Sequence, residues 1–337
     1  DARDIAGLEE RLAALDALIS TLPPGEPTAV LLIASGELHR RAVNEFRSPA
    51  ALTEMAFESF ERARAMAQTE GTRSFAVGYL GALYEDAGRY DEALALTAQA
   101  VFLAQAAGSQ DALYFWEWQE ARIERARGQL PASAAAIDRA VASLSPIRAD
   151  LLQSTPGAFS DVVEPVYLEY ADVNLRLASA MADGGDEQQT VLRGVRDQLE
   201  TLKQAEIQDY FADECVAADA EDGIDYFDVP GAAVIYPILL ADRAEVLVES
   251  GGALRSFSTE VPRGRATAAA RRLRVALERT GSGDAYLEPA KELYDWLLAD
   301  AEDWLTANEV TTLVFVPSGA LRTIPLGALH DGEEFLI

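Results

Sequence analysis

Tyr79-Leu80-Gly81-Ala82-Leu83-Tyr84-Glu85-Asp86-Ala87-Gly88-Arg89-Tyr90-Asp91-Glu92-Ala93, running on to Ala100, is the stretch that decides the fold. Small residues stand at Gly81, Ala93 and Ala100, where two helices have to touch. Leu80 and Tyr84, four apart on one helical face, supply bulk between them. Gly88 falls where the first helix must stop, because glycine takes the left-handed backbone of such a turn without steric cost. Asp91 then opens the second helix with an acid near its positive end.

Outward from this unit the arrangement recurs. Ala56, Phe60 and Ala63 stand in the relation of Ala93, Thr97 and Ala100, 37 residues earlier (93 − 56). A weaker copy covers Leu113 to Arg127, a turn at Gly128-Gln129-Leu130-Pro131, and Ala132 to Leu144, with its frame ambiguous by one residue. Further helices are expected over 1–21, ended by Pro23-Pro24-Gly25, and over 28–46 and 51–68, broken at Ser48-Pro49. Leu151 to Gly157 reads as a loop, followed by a pair over 159–181 and 187–207, split by Asp183-Gly184-Gly185-Asp186. A lone helical hairpin cannot bury its own apolar face, so these pairs are expected to stack in series. The spacing resembles the tetratricopeptide repeat, a helix-turn-helix unit of about 34 residues.

The chain has 337 residues, enough for two domains, and its 49% hydrophobic content supports packed cores. Its net charge of −28 comes from 56 acids against 28 bases, of which only Lys203 and Lys291 are lysines. Such a surface repels nucleic acid and anionic lipid, and no apolar run reaches the ~18 residues of a membrane helix. A single cysteine, Cys215, rules out an internal disulfide and leaves the compartment undecided.

After residue 208 the texture changes. Residues 209–228 hold eight acids and no base. Then come a continuous apolar run at Ala233–Leu240, a second strand at Ala244–Glu249 and a third at Leu254–Val261. Helices over 266–279 and 287–305 lead to Thr312-Leu313-Val314-Phe315-Val316-Pro317, expected as an interior parallel strand reached by a helical crossover. The expected organisation is a helical solenoid over 1–208, an acidic linker over 209–230 and an α/β domain over 231–337.

The segment Leu313 to Gly332, with Val316-Pro317-Ser318-Gly319 and Ile324-Pro325-Leu326-Gly327-Ala328-Leu329-His330-Asp331-Gly332, resembles the middle of a CHAT domain, the caspase-like domain that follows tetratricopeptide repeats. Tyr210 to Cys215, Val234 to Leu239 and Glu292 to Leu297 resemble its opening blocks. The resemblance implies a mainly α chain: a tetratricopeptide-type α-solenoid followed by an α/β caspase-like domain. It also implies a cysteine endopeptidase whose His and Cys lie beyond Asp331-Gly332, so no catalytic residue is expected among these 337. Phe335-Leu336-Ile337 reads as the start of another strand, leaving the domain incomplete. Residues 230–337 should therefore need either a missing partner half or tight docking on the helices.

The individual candidates are few. Cys215 follows Asp213 and Glu214, which disfavour a thiolate, and reads as a bystander. His330 sits in a turn-like Leu-His-Asp-Gly, and His39 is the only other histidine. The acids Asp219, Glu221, Asp222, Asp225 and Asp228 fail the EF-hand pattern, since Pro230 takes its twelfth position. No phosphate loop or zinc spacing occurs, Ser318-Gly319 reads as a turn, and no cofactor or metal is implied. One helix face is less ordinary. Phe115, Trp118, Arg122 and Arg125 share a side, opposite Leu113, Trp116 and Ile123, and are residue types suited to docking an acidic or aromatic peptide. The alternative is packing against the following helix pair. Two functions remain open: a repeat scaffold recruiting a protein partner to a CHAT-type peptidase, or a non-catalytic adaptor.

Overall fold

The computed structural model describes residues 2–46, 50–155, 157–211, 229–279 and 283–336. The acidic run from 212 to 228, with Cys215, lies outside the described residues. Two compact units divide the chain, Asp1–Leu151 and Leu152–Ile337. The fold is an α-solenoid followed by an α/β region.

The first unit holds α1 (Ala2–Ser20), α2 (Glu26–Phe46), α3 (Ala50–Met66), α4 (Glu70–Asp86), α5 (Tyr90–Ala107), α6 (Gln110–Ala126) and α7 (Leu130–Leu144). The tightest neighbours are α2 with α3, α4 with α5 and α6 with α7, three hairpins in series. Gly88 has φ +69° and its counterpart Gly128 φ +76°, the left-handed turn demanded between hairpin arms. That equivalence fixes the frame of the third copy. Ser133, Ile137 and Ala140 take the places of Ala93, Thr97 and Ala100, and all six are fully buried. Gly81 is needed for close approach, since an added Cβ would lie 3.0 Å from Thr97 Oγ1 and 3.3 Å from the Ala93 carbonyl. Gly78 serves the next hairpin: a Cβ there would meet the Trp116 ring at 2.3 Å.

Polar groups between the hairpins are satisfied locally. Gln119 Nε2 donates to the Gly78 carbonyl (3.1 Å) and to Thr97 Oγ1 (2.7 Å), and Trp116 Nε1 donates to Ser74 Oγ (3.0 Å). Ser74 Oγ in turn donates to the Ala100 carbonyl at 2.7 Å, and Ser133 Oγ donates to that of Ala121 at the same distance. These bonds leave few buried orphans, which would otherwise cost about 1–3 kcal/mol each.

The boundary falls within a short α8 (Arg148–Ser154), which partly fills the expected loop, and a π-helical turn follows at Phe159–Val163 in the second unit. That unit continues with α9 (Glu164–Ser179), α10 (Asp186–Phe211), β1 (Ala232–Leu239), β2 (Ala244–Ser250), β3 (Ala253–Thr259), α11 (Arg263–Glu278), α12 (Leu287–Leu297), α13 (Glu302–Ala307) and β4 (Thr312–Phe315). The single helix expected over 287–305 is broken at Leu298, whose φ is −132°. The sheet order is β3-β2-β1-β4, antiparallel except for the parallel β1/β4 pair. Pro237 sits inside β1 because its missing N–H would point away from β2, past the end of β4.

Both sheet faces are covered within this unit. Ala233, Ile235, Val246 and Val248 pack on α11 and α12; Val234, Tyr236, Ile238 and Leu247 pack on α9 and α10. So α9 and α10, read from the sequence as the last solenoid pair, belong with the sheet. Two further expectations change. β4 is parallel as expected but stands at the sheet edge, and Phe335 bridges back to His330 rather than extending the sheet.

Candidate functional site

In the first unit α2 touches α4 and α4 touches α6, so the first helices of the three hairpins lie side by side along one strip. An aromatic pile fills its middle. Tyr79 stacks on Phe60 with centroids 5.3 Å apart and meets Phe115 edge-on at 5.8 Å, while Phe115 meets Trp118 at 6.2 Å. Burial, and next the nearby Glu37 carboxylate, push the Tyr79 phenol up to about 12. Beside the aromatics run ion pairs: Arg40 Nη1 to Asp86 (3.0 Å) and Arg122 to both oxygens of Glu85 (2.9 and 3.0 Å).

Phe115, Trp118, Arg122 and Arg125 are thus half-buried on one face of α6, as their spacing required. Arg122 lies 4.6 Å over the Trp118 ring. Both Phe115 and Arg122 turn toward α4 of the preceding hairpin. For these two residues the packing is on the preceding pair, where the alternative expects the following one. Trp118 Nε1 is buried without an acceptor among the described residues. Along the same strip α2 exposes Val30, Leu31 and Leu38.

In the second unit the helix α10 lays one polar side chain on each strand in turn. Gln189 Nε2 donates to the Leu254 carbonyl of β3 (2.8 Å) and Oε1 accepts from its N–H (3.0 Å). Arg196 Nη1 donates to both oxygens of Glu249 in β2 (2.8 and 3.0 Å). Glu200 accepts from Tyr236 of β1 (2.6 Å), and Lys203 donates to the carbonyl of Pro317, just past β4 (2.9 Å). From Gln189 to Lys203 the helix rises about 21 Å, against about 14 Å across four strands, so it crosses them obliquely. Burial and the Glu200 contact both hold the Tyr236 phenol neutral well beyond its usual range. A second clamp joins α9 to the β1–β2 turn, where Arg243 pairs with Asp172 and Glu245.

At the carboxyl end of β4 a cleft floored by Leu199, Tyr236 and Val316 has about 30 Å³ of free space, room for a water rather than a substrate. Glu164 stands nearby, its carboxyl pushed up by burial against the pull of Arg263.

The histidines do structural work. His330 Nδ1 accepts from the Gly332 N–H (2.9 Å), and its ring meets Phe335 edge-on. His39 is fully buried, with Nδ1 at 2.8 Å from the Ser35 carbonyl and Nε2 at 3.2 Å from Asp16. Ser35 Oγ donates to Asp16 (2.6 Å) and not to the imidazole, which is not the order that activates a serine. Among the described residues no group of His, Cys, Asp and Glu could hold a metal ion, and no helix is long and apolar enough to cross a membrane.

Residues 287–337 match the CHAT domain family. A CHAT domain is therefore present, and its matched segment runs through α12, α13 and β4 to the Leu329–Leu336 turn. It contains two of the resembling blocks, Glu292–Leu297 and Leu313–Gly332. No curated protein matches the chain. A solved structure, "Crystal structure of BtubC (BKLC) from P. vanneervenii", aligns over 65% of this chain and 89% of its own, at 16% identity and a TM-score of 0.36. A likeness at that level carries no argument.

Proposed function

We propose that this chain joins a tetratricopeptide-type scaffold, which recruits a protein or peptide partner, to the front part of a CHAT-type cysteine peptidase. The observation that carries the reading is the CHAT match over residues 287–337 behind stacked helical hairpins. In it, the residues of this chain build and brace the sheet, and the His/Cys dyad belongs to sequence that follows. Partner binding falls to the strip bearing Phe115, Trp118, Arg122 and Arg125, with its aromatic middle and ion-paired border. Against a set of immobilised acidic and aromatic-rich peptides, Trp118→Ala and Arg122→Ala are each expected to weaken binding about tenfold. Unchanged binding by both variants refutes the strip as the recruiting surface.

A second reading, a non-catalytic adaptor, is favoured by one feature: α9 to α12 already cover both faces of the sheet, so the unit does not need further strands to bury it. Coding sequence beyond residue 337 separates the two. A His and a Cys, each following a strand, with protein cleavage lost on replacing that Cys, support the peptidase. Absence of either residue supports the adaptor.

A further inference from the structure

Among the described residues every α-helix but one is neutral or negative by its Asp, Glu, Lys and Arg content, and the exception is α11. It carries Arg263, Arg265, Arg271, Arg272 and Arg274, with Arg279 just beyond, against the single acid Glu278. Its inner face is Ala266, Ala269, Ala270, Leu273 and Ala276, buried against the sheet, and asks for no charge. The outer face is exposed. Gly264, Ala268 and Val275 form a low apolar line at helical spacing, with Arg265, Arg272 and Arg279 to one side and Arg271 and Arg274 to the other. Val275 and Leu277 are 46% and 40% exposed.

Little of this charge is neutralised. Arg272 pairs with Glu292 and Arg274 with Glu278, Arg265 lies over the Trp296 ring at 4.8 Å, and Arg263 turns in to donate to the Leu239 carbonyl (2.8 Å) near Glu164. Arg271 and Arg279 have no ion-pair partner among the described residues. Like charges three and four apart on a helix destabilise it by a few tenths of a kcal/mol each. In a chain with twice as many acids as bases, partners within the chain account for Arg263, Arg265, Arg272 and Arg274 but not for Arg271 and Arg279, nor for five arginines along one exposed face. An external anion accounts for both.

We propose that the outer face of α11 docks an acidic segment of a partner protein, its aliphatic side chains along Ala268 and Val275 and its carboxylates on the two arginine rows. A long polyanion fits less well. Beyond a Debye length of about 8 Å it meets the field of the −28 surface. The helix also exposes no aromatic face for base stacking, since Arg265 covers Trp296. A flat anionic bilayer would face the same repulsion. This surface shares no residue with the strip on α6, so the two succeed or fail independently.

The test uses the full chain and a fluorescein-labelled peptide of repeated Glu-Glu-Leu, read by anisotropy, beside single-stranded DNA of equal charge and phosphatidylserine vesicles. The peptide is expected to bind, more weakly as salt rises, with affinity lowered about tenfold or more in Arg271→Glu/Arg274→Glu. The control Arg11→Glu/Arg62→Glu, on exposed arginines of the first unit, retains binding. Should the charge reversal disturb folding by circular dichroism, Arg271→Gln/Arg274→Gln takes its place. Tighter binding of the DNA or the vesicles overturns the proposal. So does equal binding by the α11 variant, or no peptide binding at low salt.

Discussion

Replacing Arg196 by alanine tests whether α10 braces the sheet. Arg196 holds both oxygens of Glu249, whose side chain is 5% exposed, at 2.8 and 3.0 Å. Removing one partner of a buried pair costs about 3–5 kcal/mol, because the remaining charge stays buried and loses its counter-charge. Arg196 itself is one-fifth exposed, so water reaches the site and the lower figure of ~3 kcal/mol applies. At ~1.4 kcal/mol per factor of ten, amides that exchange by opening of the sheet should exchange roughly a hundredfold faster. The melting temperature of this unit should fall by about 6–12 °C. Hydrogen exchange read by mass spectrometry locates the effect: peptides from β1, β2 and β3 lose protection, and those from α4 to α7 keep theirs. Arg196→Met/Glu249→Leu removes both charges and should recover most of the loss, since apolar replacement of a buried pair is often neutral. A single variant within a few tenths of a kcal/mol of the native protein, or a double variant as unstable as the single, refutes the bracing role.

Gly78→Ala should destabilise the first unit by about 1–3 kcal/mol in urea unfolding, because the added methyl meets the fully buried Trp116 ring. Glu26 is held at about 2, below its ordinary 4.5, chiefly by hydrogen bonds from Thr69 and Thr72. A depressed carboxylate contributes stability that is complete above about 4.5 and is lost as pH falls toward 2. Melts across that window should therefore slope less in Glu26→Gln than in the native protein, the remaining slope belonging to other lowered carboxylates such as Asp242. Gln189→Ala frees the N–H and C=O of Leu254 at the open edge of β3, and light scattering should then show concentration-dependent self-association.

The hairpins were legible because their requirements are local. Gly88, Ala93, Thr97 and Ala100 each answer a contact within one turn-helix unit, and the same offsets recur in α3. The third copy was blurred because Ser133 stands where Ala93 does. A polar residue looks out of place in a core until its hydroxyl is seen returning to the Ala121 carbonyl. Periodicity also put Phe115, Trp118, Arg122 and Arg125 on one side of α6. It could not say that this side meets Tyr79 and Glu85 of the preceding hairpin, since that depends on how one hairpin stacks on the next.

The placement of α9 and α10 is the deeper lesson, because the information was present in a misleading form. Along α10 the residues Gln189, Arg196, Glu200 and Lys203 recur at helical spacing, interleaved with Leu192, Val195, Leu199 and Leu202. A charged row on an amphipathic helix is ordinarily a solvated face, and in a solenoid it would be. Here the polar row borders the apolar one on the side turned to the sheet, and each member meets a different strand: Leu254, Glu249, Tyr236 and the carbonyl of Pro317. A helix crossing strands obliquely must offer each strand whatever its edge or inward charge lacks, and those needs differ from strand to strand. The row is therefore mixed in chemistry, an amide, a guanidinium, a carboxylate and an ammonium, where an exposed face would be free to pair its own charges three and four apart. Mixed polar types at regular helical spacing, with complementary groups such as Glu249 and Tyr236 inside apolar strands, mark a helix that lies on a sheet rather than in a stack of helices.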